Sequence, residues 1–272
     1  MRNFISRNWA RAFGRRSCRK LNSFLLRLAI RGLGVMNYEN DSLSGEAWLI
    51  TKFLRKKIGN IEKPVLFDVG ANEGNYAASL CSTFPNGTVY CFEPHPKTFQ
   101  KLLETTNHLA VEPVNIALGE SCGSRQLFDY AGENGGSQHA TVVPQVLQKL
   151  HGGEATAIEV VETTIDKFCE ENEIDRINFL KIDVEGNEYS CLCGAKKMLA
   201  SCRIGIIQFE FNQMNIHSKV FMEDFFAILE GYHLYRLLPS GLLPLNRLDT
   251  LQTNLFVFQN IIAIPASSKE WP

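Results

Sequence analysis

Three groups of residues in this chain have the types and spacing that chemistry requires. The first is Asp68-x-Gly70-x-Asn72-x-Gly74, where an apolar run bearing a carboxylate breaks into a glycine-spaced turn. Glycines let backbone N–H groups approach a ligand, and a helix opening beyond the turn points its positive end at it. The turn lacks the middle glycine that lets backbone approach a pyrophosphate in the dinucleotide fingerprint. A carboxylate two residues before the first glycine suits a cofactor with an ammonium and a sulfonium and no phosphate, as in S-adenosylmethionine. The second group is Glu93, 25 residues after Asp68 at the end of the next apolar run. There it can accept both ribose hydroxyls, with Asn115 and Ala117 bordering the adenine.

The third group is Lys181-Ile182-Asp183-Val184-Glu185-Gly186-Asn187-Glu188, with four charged residues at a strand's carboxyl end. Ligands of open α/β sheets bind at such ends. Deprotonating a hydroxyl needs a base within hydrogen-bond reach, and crowded carboxylates raise one pKa toward neutrality. Asp183 and Glu185 are both candidates for that base, with Lys181 beside them. Salt bridging to Lys181 and helix capping by Asp183 or Asn187 are the plain alternatives. Glu210 and Asn212 could join Asp183 as oxygen ligands for a divalent cation, but the expectation is of no resident metal. Of the six histidines, His217 alone has the position of a candidate base.

These groups need strands and helices to hold them. Val65–Val69 is nearly continuous in apolar character, as a strand buried on both faces would be, and helix follows from Asn75 to Phe84. Thr88–Phe92 is a second strand, Lys97–Asn107 a helix, and Val111–Ala117 a third strand. Strand and helix in alternation are the first half of a doubly wound sheet. Residues 119–162 break the rhythm with glycines around two β-like runs, 125–130 and 157–161, and read as a hairpin or lid over the cofactor. A helix is expected at 164–171, a strand at 177–182, a helix at 187–199, a strand at 204–211 and a helix at 220–230. Strands at 233–238 and 255–259 close the pattern. Upstream, 44–58 reads as an amphipathic helix covering one sheet edge.

Composition bounds the rest. The 272 residues carry a net charge of −1, yet residues 1–35 hold nine Arg or Lys and no Asp or Glu, leaving a body ten charges negative. Ile5, Trp9, Ala12 and Phe13 share one helical face, as do Leu21, Phe24, Leu25 and Leu28, with a break near Gly14. Such an arm suits an anionic membrane surface, an apolar face packed on its own domain, or a transit peptide. No apolar run reaches membrane-spanning length. The eight cysteines form no CxxC pair and read as reduced structural thiols of a cytoplasmic protein. Basic and aromatic residues do not interleave in the core as nucleic-acid binding requires.

Phe67–Gly74, Phe92-Glu93-Pro94, Asn115–Leu118, Thr164-Ile165-Asp166 and Leu180–Gly186 occur in the order found in the FkbM family, which the chain resembles from about 43 to 264. The resemblance implies an α/β, class I methyltransferase (Rossmann-like) fold, a doubly wound and mostly parallel seven-stranded sheet with an antiparallel last strand. It also implies S-adenosylmethionine-dependent transfer of a methyl group to a hydroxyl of a surface-glycan sugar or a natural product, in a bacterial protein. By residue, Asp68, Gly70, Asn72 and Gly74 fall on the family's methionine-side loop, Glu93 on its ribose carboxylate, and Lys181, Asp183 and Glu185 on the motif after its fourth strand. The expected organisation is an extension at 1–42, the methyltransferase domain at 43–264 with its insert at 119–162, and a tail at 265–272. The expected location is the cytoplasm, at the inner face of the membrane if the arm docks there. Other readings are a nicotinamide-dependent sugar-modifying enzyme, which should show a third glycine in the turn, and a catalytically silent scaffold docked by its basic arm.

Overall fold

The computed structural model describes residues 2–130 and 155–267, so the middle of the expected lid and the last residues of the tail lie outside the described residues. Eleven strands form two sheets among them. The large sheet contains β1 (Val65–Val69), β2 (Thr88–Phe92), β3 (Val111–Val114), β7 (Ile177–Ile182), β8 (Ile204–Phe211), β9 (Tyr232–Leu238), β10 (Gly241–Pro244) and β11 (Gln259–Pro265). The small sheet contains β4 (Ala117–Leu118), β5 (Gly123–Tyr130) and β6 (Ala155–Thr163).

The strand order of the large sheet is β10-β9-β11-β8-β7-β1-β2-β3. Pairs β3-β2, β2-β1, β1-β7 and β7-β8 are parallel, and β11 is antiparallel to both β8 and β9. This is the class I methyltransferase sheet, with the order reversing beside β1 so that a crevice opens between β1 and β7 at their carboxyl ends. An eighth strand, β10, adds an edge hairpin to β9 that the sequence pattern did not announce.

The core lies on both faces of this sheet. Phe67, Phe92, Leu180 and Phe209 pack on one side with Phe168 and Phe225, while Leu66, Phe179 and Ile206 pack on the other with Leu54, Leu80 and Leu102. Residues in β7 are buried throughout, Asn178 and Lys181 included: Asn178 Oδ1 accepts from the Val65 N–H at 2.8 Å and Lys181 pairs with Asp68.

Four sequence expectations need correction. The run at 111–117 is two strands, because the Asn115 amide donates to the carbonyls of Glu93 (2.8 Å) and Pro94 (3.1 Å) and turns the chain into the small sheet. The helix expected at 187–199 divides into Glu188–Cys193 and Lys196–Ala200. Gly194 sits at the break, where a Cβ would lie 2.0 Å from the Gly119 carbonyl oxygen. The helix expected at 220–230 spans Met222–Ile228, and a short helix, Met214–Ser218, precedes it. The last strand is Gln259–Pro265 rather than 255–259. The Ile-rich segment takes the fully buried place between β8 and β9, and Phe256 and Phe258 pack at its entrance.

The two β-like runs of the insert pair as the antiparallel hairpin β5–β6, held to the large sheet's side by β4. Upstream of the sheet, 46–58 is helical with a wider turn at Leu49–Leu54, and its apolar face is buried. The basic arm forms helices Arg2–Phe13 and Arg19–Gly32 with a short turn of helix between them. Arg19–Gly32 contains no buried residue, and Leu21, Phe24, Leu25 and Leu28 are all exposed, so this face does not pack on the domain. The side chain of Ile5 lies outside what is described. All eight cysteines are unpaired.

Candidate active site

Strand β1 delivers Asp68 to the carboxyl edge and then breaks. Gly70 has φ of +78° and a Cβ there would sit 1.9 Å from the Asp183 carbonyl oxygen, so only glycine fits. Asn72 also takes the left-handed region, at φ of +50°, a conformation that Asn tolerates better than most residues. The Gly70 and Ala71 N–H groups both donate to the Phe92 carbonyl at 3.0 Å, which welds the turn to the end of β2. On the other side the Asp183 N–H donates to Val69 O at 3.0 Å. The turn is therefore fixed between two neighbouring strand ends before any ligand arrives.

Glu93, just past β2, is the carboxylate that this frame positions. One of its oxygens accepts from the Asn72 N–H at 3.0 Å and the other from the His95 N–H at 2.9 Å. Each oxygen keeps a lone pair for a ligand. Burial raises its pKa to about 7, against the pull of those two N–H groups. The cavity beside it is walled by Ile116, Ala117, Leu118 and Leu127, an apolar slot next to a carboxylate. The Asn115 side chain does not reach this cavity. It braces the Glu93-Pro94 backbone instead.

Gly70, Asn72, Asp183 and Glu185 line that cavity and also a second one of about 320 Å³ on the far side of the turn. The second cavity has a mixed lining, with Glu46, Thr51, Asn75, Tyr76 and Lys181 beside the apolar Ala47, Ile50 and Ala71. Asn72 Oδ1 is buried in this shared wall without a hydrogen-bond partner. A donor from a ligand would satisfy it, and an unsatisfied buried acceptor is otherwise costly.

Asp68 and Lys181 form a buried pair at 3.2 Å, and Lys181 also reaches Asp183 at 3.4 Å. Asp68 lines neither cavity; Lys181 is its charged neighbour, and both its carboxylate oxygens are buried without a hydrogen-bond partner. Burial alone would lower the Lys181 pKa, but Asp68, Asp183 and Glu46 outweigh it and hold the ammonium charged. Its Nζ also sits 5.0 Å from the centroid of the Tyr76 ring. The Tyr76 hydroxyl donates to Gln208 Oε1 at 2.6 Å, and Gln208 Nε2 donates to Glu46 Oε1 at 2.9 Å and to Asn260 Oδ1 at 3.2 Å. This buried chain ties the upstream helix to β8 and β11 beneath the second cavity.

Two further carboxyls were not assigned roles as bases from the sequence. Glu188 accepts from the Val184 and Gly186 N–H groups, each at 3.1 Å, and so fixes the loop that presents Asp183 and Glu185. Burial raises its pKa to about 7. Glu210 is also held well above the ordinary carboxylate range, first by burial and then by Asp183 and Glu185 nearby. The Asn212 amide donates to Glu210, and Asn212 Oδ1 already accepts from the Met214 N–H at 2.7 Å. Among the described residues no group of three or more His, Cys, Asp or Glu is placed to hold a metal ion. His217 lies on the helix Met214–Ser218 and lines neither cavity. Glu188 belongs to the same short stretch as Asp183 in the sequence, whereas the proximity of Glu210, at the end of β8, to Asp183 is a tertiary fact.

The chain is similar to several known methyltransferases. The hexuronic acid methyltransferase AglP of Haloferax volcanii is 31% identical over 150 residues, covering 54% of this chain and 56% of that protein, so the match spans little more than half of that relative's length. The 2-O-methyltransferase NoeI of Sinorhizobium fredii is 24% identical over 201 residues, covering 70% of this chain and 82% of that protein. The plantazolicin methyltransferase BpumL, solved in complex with SAH, has 10% identity and a TM-score of 0.45 over 93% of this chain and 91% of that one. The family model for the methyltransferase FkbM domain matches residues 68–236, and the chain belongs to that family of methyltransferases.

Proposed function

We propose that this protein is an S-adenosylmethionine-dependent O-methyltransferase whose acceptor is a sugar hydroxyl of a glycan. The observation that carries the reading is Glu93. It is a buried carboxylate, fixed by two backbone N–H groups, and it opens on an apolar slot at the crevice between β1 and β7. That donor set fits a nucleoside without phosphate. Glu93 would hold the ribose hydroxyls, and Ile116, Ala117 and Leu118 the adenine. Gly70, Asn72 and Asp183 would hold the polar end, Asn72 Oδ1 meeting one of its donors. When bound, S-adenosylmethionine supplies a methyl group activated by the sulfonium it sits on.

The chain's own part is to aim a hydroxyl oxygen at that methyl and to take its proton. Asp183 and Glu185 stand in the wall that both cavities share and are the candidate bases. Lys181 holds Asp183 in place from below, and Asp68 is a positioning residue that acts through Lys181. Orientation of bound reactants contributes on the order of 7–11 kcal/mol in well-aligned cases. The hairpin β5–β6 contributes Leu127 to the slot, which would keep water from the adenine side. The relatives named for methylation of hexuronic acid and of a 2-hydroxyl support a sugar acceptor. The basic arm is read as a peripheral membrane contact, which would place the cleft at the inner face of a membrane where glycans are assembled.

Isothermal titration tests the donor. S-adenosylhomocysteine is expected to bind the wild type and to lose at least about tenfold in affinity in Glu93→Ala, given the worth of charge-assisted hydrogen bonds. Binding of a nicotinamide cofactor with no heat from S-adenosylhomocysteine would sink the proposal.

A further inference from the structure

We propose that the cleft edge of this protein is itself the membrane-facing surface, seated on anionic lipid by the arm together with the turn at 246–251. The inference rests on the arm's reading as a membrane contact and adds a second contact point and an orientation. Arg19–Gly32 has no buried residue, and its Phe24 and Leu28 are 58% and 53% exposed, between Arg and Lys. A helix of this kind, with nine basic residues and no acidic one across residues 1–35, complements a surface that is apolar beneath and negative at its headgroups.

The turn supplies an independent observation. Leu248 and Leu251 are 88% and 80% exposed, the most exposed large apolar side chains among the described residues. They belong to the link between β10 and β11, and the fully buried Arg236 joins that link to the root of the arm. Its guanidinium donates to the Gln252 carbonyl and to the Leu33 carbonyl, the latter at 3.4 Å, while Nε donates to Gln259 Oε1 at 2.7 Å. The Met36 N–H donates to Phe258 O at 2.8 Å. Arm root and turn are thus pinned to one place.

Topology says which place. Strands β8 and β9 are both antiparallel to β11, so they run the same way and end at the same edge. Strand β8 is parallel to β7, and β7 to β1, so that edge is the one carrying Asp183 and the Gly70 turn. Arg236 lies near the end of β9, and Gln259 opens β11 opposite Phe211 at the end of β8. The root of the arm and the end of the turn's link therefore lie at the edge that carries the cleft, and in the proposed orientation the acceptor hydroxyl reaches the cleft from the bilayer surface.

The test is sedimentation of the full chain with vesicles of phosphatidylcholine, with and without phosphatidylglycerol. Binding to the anionic vesicles, weakened by added salt, is expected. Phe24→Ser/Leu28→Ser and Leu248→Ser/Leu251→Ser should each weaken partitioning by about tenfold, with thermal unfolding unchanged because all four side chains are exposed. Wild-type partitioning by the Leu248→Ser/Leu251→Ser variant overturns the orientation and leaves the arm as the sole contact. Equal binding to both vesicle types, or none, overturns both readings and leaves the donor assignment to the titration. A dimer by light scattering that Phe24→Ser/Leu28→Ser dissociates assigns the surface to a second copy, and overturns the inference.

Discussion

Glu93 keeps its proton until about neutral pH because burial costs the charged form more than two backbone N–H groups return. Its folded pKa of about 7 lies above the ordinary 4.5, so between those values the folded protein holds more protons than the unfolded chain. Stability from this group therefore falls as pH rises through that window and levels off above it. Ligand hydroxyls donate best to the ionised carboxylate, so affinity for S-adenosylhomocysteine should run the other way. It should be about tenfold weaker at about pH 6 than above about pH 8, and Glu93→Gln should flatten the profile. Lys181 gives a stability prediction. Lys181→Met leaves Asp68 buried and unpaired, at a cost of roughly 3–5 kcal/mol by chemical denaturation, and Asp68→Asn added to it should recover most of that loss. At this scale the sequence shows residue types and spacing. It could not show that Lys181, 113 residues away and one strand over, lies 3.2 Å from Asp68. Nor could it show that Asn115 spends its amide on the Glu93-Pro94 carbonyls.

Among the elements, the β1 turn and the β5–β6 hairpin carry the site. Gly70→Ala should cost at least about 2 kcal/mol and abolish cofactor binding, since it combines a left-handed φ with a Cβ inside the Asp183 carbonyl. The hairpin is attached to the segment after β2 that carries Glu93 through a buried pair, His95 Nε2 and Asp129 Oδ2 at 3.3 Å. Burial lowers the His95 pKa and Asp129 opposes that shift. Asp129→Asn should raise amide exchange across Gly123–Tyr130 and leave the protection of β1 and β7 as it was, measured by hydrogen exchange with mass spectrometry. Elements with strong local signals, such as β1, β2 and β7, were legible because buried parallel strands are mostly apolar. The last strand was misplaced by four residues at its start because Leu255–Gln259 and Ile261–Ile264 are both apolar runs. Local pattern does not say which of them fills the slot between β8 and β9.

For the whole molecule, charge is divided between a basic arm and an acidic body. The arm's helices contribute little burial, so removing residues 1–29 should leave the midpoint of thermal unfolding within about 2 °C by calorimetry. What the sequence alone determined was the alternation of strand and helix, the turn that only Gly70 can make, the carboxylate after β2, and the family they belong to. These are local properties, set by residue volume, backbone freedom and polarity along a short stretch. The tertiary structure alone decided that Glu210 joins the carboxyls at the end of β7, that Lys181 lies against Asp68, and that the root of the arm lies at the edge carrying the cleft. Those depend on strand order and direction, which bring together groups far apart in the chain.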